Sequence, residues 1–249
     1  MQYTGKFYIV LLVHTDRKLL RKMIEIIPEK QKSRLESLAS DTIAHLAPKF
    51  GVDTALIRMP TIKVVEDGGE SYEEHRRVYS IPPPAYHPKN NEIVVTSNTN
   101  IQEVAHECGH SLHYTVNQEL FLRRKPLSNL SFFERLNVKG RYVNVALLEF
   151  VAQYASMDYC SSKGRNDLIE KSLHSYMTLT NPFYLSGIES ELGRDLSSKE
   201  IVTAWAYIAA ANEFVKGNFD LRAISRFDEK QFSEEIAKKH NFDKIPLLF

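Results

Sequence analysis

Up to Thr96 the chain alternates short runs of β-branched and aromatic residues with charged stretches; after it, apolar residues recur at helical spacing. Phe7-Tyr8-Ile9-Val10-Leu11-Leu12-Val13 reads as a buried strand. It leads into a charged helix from Asp16 to Ile27, which Pro28 should interrupt, and a second helix from Glu29 to Phe50 that Gly51 ends. Ile57–Glu66 is a strand pattern closed by the turn residues Asp67-Gly68-Gly69, Glu70–Arg77 is polar, and Val78–Ile81 suits a short strand. Pro82-Pro83-Pro84 forces an extended connection, and Asn90-Asn91 turns the chain into the strand Glu92–Thr96. Helices then follow, capped by Asn98 or Thr99 at the first, at Val143–Tyr159, Asp167–Met177, Ser198–Val215 (capped by Ser197 or Ser198) and Phe227–His240. The order predicts an α+β fold: a small, mostly antiparallel sheet in the N-terminal half, packed on the helix that follows Glu92–Thr96, and a mainly helical C-terminal half. Gly51 is the best candidate boundary, dividing an N-terminal strand-and-helix unit, 1–52, from 53–249.

The helix after Asn98 carries His106-Glu107-Cys108-Gly109-His110. Residues four apart lie one turn above each other, so His106 and His110 share a face. That spacing suits two imidazole ligands of a tetrahedral Zn²⁺, and Glu107, directly after the first ligand, is placed as general base for a metal-bound water. Ile101, Val104, Ala105, Cys108 and Leu112 recur on another face, which makes Cys108 a core residue rather than a ligand.

Two histidines leave a catalytic zinc site one protein ligand short. His113 shares their face, but at ~1.5 Å rise per residue it lies roughly 10 Å along the axis from His106, too far for one ion. It reads instead as a residue supporting the ligands or facing substrate. Glu149 is the better candidate, because a carboxylate within the apolar stretch Val143–Ala155 is costly unless paired or coordinated. Glu149, Ala152, Gln153 and Ser156 form one stripe of mostly small residues, which would let this helix approach the metal helix closely. Gln153 is placed to hold Glu149 or an imidazole by hydrogen bond.

Composition narrows the function classes. A formal net charge of +1 offers no field for broad nucleic-acid binding, and two cysteines are too few for a disulfide scaffold. The run Phe7–Val13 is far short of the ~20 residues of a membrane span and lacks a small-residue cleavage site after it. These features together predict a cytoplasmic protein that binds neither membrane nor nucleic acid. Arg123-Arg124-Lys125 reads as a solvated surface cluster.

His106-Glu107-Cys108-Gly109-His110-Ser111-Leu112-His113 resembles the H-E-x-G-H-x-x-H signature of the thimet oligopeptidase and oligoendopeptidase F family, and Glu149-Phe150-Val151-Ala152-Gln153 is similar to that family's third-ligand helix. The resemblance implies a zincin-type site with Zn²⁺ on His106, His110 and Glu149, Glu107 as base, and hydrolysis of a peptide or protein substrate. Tyr184, between Asn181-Pro182 and Gly187, is similar to the family's tyrosine loop that donates to the oxyanion; Tyr176 and His174 are alternates. Substrates of such enzymes usually lie along a sheet edge, for which Glu92–Thr96 and Val78–Ile81 are the candidates. The strand, motif helix and glutamate helix together also look like the small ImmA/IrrE-type metallopeptidases, which act on regulatory proteins. Outside this group, the alternatives are a non-peptide amide hydrolase and a non-enzymatic module whose zinc is structural or whose site is vestigial.

Overall fold

The structure, a computed structural model, describes residues 17–79, 83–118, 138–179, 198–217, 219–226, 235 and 238–239. Helix α1 spans Arg17–Phe50. A 3-10 turn at Thr54–Leu56 precedes β1, Thr61–Val65. Then come α2 (Glu70–Tyr79), β2 (Ala85–His87), β3 (Glu92–Thr96) and α3 (Ile101–Val116). The remaining helices are α4 (Val138–Ser162), α5 (Asn166–Leu179), α6 (Ser198–Lys216) and the short α7 (Ala223–Arg226). The strand expected at Phe7–Val13 and most of the helix expected at Phe227–His240 lie outside the described residues.

The α+β architecture is as the sequence pattern predicts, with one three-stranded sheet among the described residues, in the order β1-β3-β2. The sheet is mixed: β3 runs antiparallel to β2 and parallel to β1. A parallel pair needs a crossover, and the chain between β1 and β3, which includes α2 and β2, supplies it. Glu92–Thr96 is therefore the central strand, hydrogen-bonded on both sides, and not the free edge considered from sequence. Val78 belongs to α2 rather than to a strand, and the short strand comes after the prolines instead. Glu70–Arg77, polar in sequence, folds as most of α2, with Glu70 and Glu73 in the first turn where the helix dipole favours them.

No break occurs at Pro28; α1 continues through it. Proline's fixed φ is itself helical, and the cost is one lost hydrogen bond and crowding against the preceding turn. Downstream, Leu35, Ala39, Ile43, Leu46, Ala47 and Phe50 bury a continuous stripe that anchors the helix. They share one core with Ile62, Ile93 and Val95 of the sheet and with Val104, Ala105, Cys108 and Leu112 of α3. Polar ties reinforce this packing: Tyr159 Oη donates to Asp41 at 2.6 Å, and His45 and Lys49 both reach Asp158, joining α1 to α4. No helix among the described residues is long and apolar enough to cross a membrane.

Helix α2 is tied to β2 by a histidine pair. His75 Nε2 and His87 Nε2 lie 2.6 Å apart, both rings buried, so one proton lies between them. Burial, then the neighbouring His75 and the Lys63 charge, push the His87 imidazole down to about 4 from 6.5. Between these values the unfolded chain binds a proton that the folded chain refuses. The stability tied to this group is thus complete above 6.5 and lost as pH falls toward 4. Urea midpoints of His87→Gln should fall less than those of the parent between ~pH 7 and ~pH 4.5. Equal slopes in the two proteins would assign the acid sensitivity to other groups.

Candidate metal centre

Helix α3 is capped one residue after Thr99 and two after Asn98, the caps considered from sequence. Asn100 is the N-cap, its Oδ1 accepting from the backbone of Gln102 at 2.8 Å and Glu103 at 3.1 Å. The Glu103 carboxylate accepts from the Asn100 N–H at 2.7 Å, completing a capping box. Thr99 is engaged elsewhere, its hydroxyl accepting from the Thr96 N–H at 2.9 Å. From this start, Val104, Ala105, Cys108 and Leu112 face the core with no exposed surface, as their periodicity predicts. Burial pushes the Cys108 thiol up, which keeps it neutral and inert.

The opposite face of α3 meets α4 at very short range. A Cβ built on Gly109 would stand 3.0 Å from the Ala152 Cα, 3.2 Å from its carbonyl oxygen and 3.2 Å from the Ala155 Cβ. Glycine on α3 and alanines on α4 allow this contact. His106 and His110 lie at −3 and +1 from Gly109; Glu149 and Gln153 lie at −3 and +1 from Ala152. The close crossing thus brings the four polar side chains together.

Glu149 Oε2 lies 3.3 Å from His106 Nε2 and 3.8 Å from His110 Nε2. One ligand atom from each of the three residues falls within 4.8 Å of the others, so the group could hold a metal ion. Each of the three residues is no more than 9% exposed. Burial pushes the Glu149 carboxyl up, but hydrogen bonds and charge from the two histidines outweigh it and hold it well below the usual carboxylate range. Burial likewise opposes charge on His106; its hydrogen bond to Glu149, the nearby Glu107 charge and its hydrogen bond to Gln153 reverse that and raise it. Gln153 Oε1 faces His106 Nδ1 at 3.3 Å, so the amide orients the imidazole, one of the two roles considered for it.

Glu107 is buried at 6% exposure and makes no hydrogen bond or ion pair with another described residue. His113 has no exposed surface and is not among the converging ligand atoms, as its distance along α3 requires. His174 is exposed on α5. Tyr184 and the Arg123-Arg124-Lys125 cluster lie outside the described residues, as does the side chain of Tyr176.

One residue at the site escaped the sequence reading. Tyr207 of α6 places its hydroxyl 3.2 Å from Glu149 Oε2 and 3.3 Å from His106 Nε2, with its ring edge-on to the His106 ring at 5.3 Å. Its only local mark is a hydroxyl-bearing aromatic within the alanine-rich run Ala204–Ala211.

Comparison with protein-family models, with curated proteins and with solved structures finds no match to this chain.

Two outcomes test this geometry. His106→Ala, His110→Ala and Glu149→Ala should each lose the single equivalent of divalent metal that the parent binds after dialysis, measured by elemental analysis. A full equivalent held at parental affinity by any of the three places the site elsewhere. Gly109→Ala should force α3 and α4 apart, lowering stability by ~1–3 kcal/mol, the usual cost of overpacking. It should also weaken metal binding, since the same contact sets the ligand spacing; a stable variant with unchanged affinity would remove that link.

Proposed function

We propose that the chain is a zinc metallopeptidase in which His106, His110 and Glu149 hold the ion and Glu107 acts as general base. The observation that carries this reading is the convergence of a one-turn histidine pair with a carboxylate from a second helix, while another buried carboxylate stands directly after the first histidine. Two imidazole nitrogens and one carboxylate oxygen fit the donor set of catalytic zinc sites, which leave a position for water or substrate. When bound, zinc supplies Lewis-acid polarisation of a carbonyl and lowers the pKa of water.

The chain's own residues do the rest. Glu107 accepts a proton from the attacking water and delivers it to the leaving amine. Gln153 holds the His106 ring so that Nε2 faces Glu149. The buried walls of α3, α4 and α6 lower the local dielectric and strengthen every charge interaction at the site. An extended substrate would pair with a sheet edge, and β2, the antiparallel neighbour of β3 that packs against α3, is an edge strand among the described residues and lies beside the metal helix.

Glu107→Gln tests the reading most directly. The amide keeps size and polarity but cannot take the water's proton. Zinc content should stay at one equivalent while cleavage of a peptide library falls by ~10²–10⁴, the range of general-base catalysis. Cleavage close to the parental rate would sink the assignment of Glu107.

A further inference from the structure

Bonds of ~2.0–2.1 Å in a tetrahedral zinc site put neighbouring ligand atoms about 3.3 Å apart. His106 Nε2 and Glu149 Oε2 are 3.3 Å apart. The Tyr207 oxygen is 3.3 Å from that nitrogen and 3.2 Å from that carboxylate oxygen. The three atoms form a nearly equilateral triangle whose edge is that of one tetrahedral face. His110 Nε2 lies 3.8 Å from the same carboxylate oxygen, in the group of His106, His110 and Glu149 ligand atoms that all fall within 4.8 Å of one another.

We propose that the Tyr207 phenol oxygen is a fourth protein ligand of this metal centre at rest, occupying the position that water and substrate must take. The inference rests on the zinc reading above and specifies how its open position is controlled. A hydroxyl that only donated to Glu149 would need just one partner, yet the Tyr207 oxygen sits equally close to two atoms of the ligand set. Gln153 Oε1 is an acceptor, so with the amide as placed it keeps the ring proton on His106 Nδ1. A cation would take the place of the proton through which His106 Nε2 meets Glu149, and would draw on the lone pairs of that nitrogen, Glu149 Oε2 and the phenol oxygen at once.

The fold supports this placement. Tyr207 comes from a third helix, α6, that packs on α4. Ala204, Ala206, Ala209, Ala210 and Ala211 of α6 are all buried, so small side chains let α6 come close. The Tyr207 ring itself is half-buried and rests against His106, so the oxygen can leave the site by rotation of one side chain.

The test is a near-ultraviolet difference spectrum of the metal-stripped full chain on addition of Zn²⁺ alone. The parent should gain the absorption of one phenolate per zinc bound, releasing the phenol proton to solvent. Tyr207→Phe, which keeps the ring against His106, should still bind one zinc but show no phenolate signal. Tyr184→Phe should retain it. Loading with Cu²⁺ should give the parent a visible phenolate-to-copper charge-transfer band that both Tyr207→Phe and Tyr207→Leu lack, so a folding defect in one variant does not decide the matter. Stoichiometric zinc binding by the parent with no phenolate signal overturns the Tyr207 proposal and leaves the zinc site standing. A phenolate signal that survives in Tyr207→Phe, or disappears in Tyr184→Phe, overturns it as well. Failure of the parent to bind zinc overturns both readings.

Discussion

The contact between Gly109 and Ala152 is the constraint on which the site depends. Two helices can bring short side chains to a common point only if their backbones nearly touch, and a Cβ at Gly109 would already stand 3.0 Å from the Ala152 Cα. The polar residues occupy the same two offsets on each helix, −3 and +1 from the contact. On a helix these offsets are one turn apart on one face, so a single crossing presents two side chains from each partner. The capping box at Asn100 fixes where α3 begins, and β3, held between two other strands, fixes the direction from which the chain enters it.

Burying these groups has a cost that shapes the surroundings. An unpaired carboxylate or charged imidazole in an apolar interior is penalised by several kcal/mol, so the cluster persists only because its members satisfy one another. Glu149 is held charged by the histidines, and His106 is held in orientation by Gln153. The same low dielectric that makes the cluster costly makes it effective. Charges fixed here would act on a bound group with little screening by water.

Strongly periodic or sharply bounded segments were legible in the sequence. β3, α3 and the core of α4 follow from apolar spacing, and the pairing of Glu149 with the histidine pair follows from one acidic residue in an apolar stretch. Helix α2 was not, because its described residues are mostly charged and exposed and part of its anchorage is the His75–His87 pair, which joins two elements 12 residues apart. The position of Glu92–Thr96 in the sheet was hidden for a similar reason: its strand pattern carries no record of how many neighbours it has. The continuity of α1 through Pro28 depends on burial of a stripe further along the helix, which outweighs a local breaker. Tyr207 was missed because the distance that matters is spatial. It lies 101 positions from His106 and 58 from Glu149, and a tyrosine among alanines reads as core packing.

The choice between a catalytic and a purely structural metal site turns on two side chains of α3. Structural zinc is commonly held by a closed set rich in cysteine thiolates. Cys108 is part of the same pentapeptide, yet it faces the core with its thiol pushed up by burial, near the Ala39 carbonyl at 3.9 Å. A site built for structure would gain from a thiolate there and would have no use for an acid beside its first ligand. Glu107 has the opposite character: it is a buried carboxylate with no hydrogen bond or ion pair to another described residue. Such a group costs stability in a resting fold, and the proton-transfer role proposed for it would account for its presence. On the reading proposed above, an inert thiol turned inward and a carboxylate kept beside the ligand set suit hydrolytic chemistry better than a structural role.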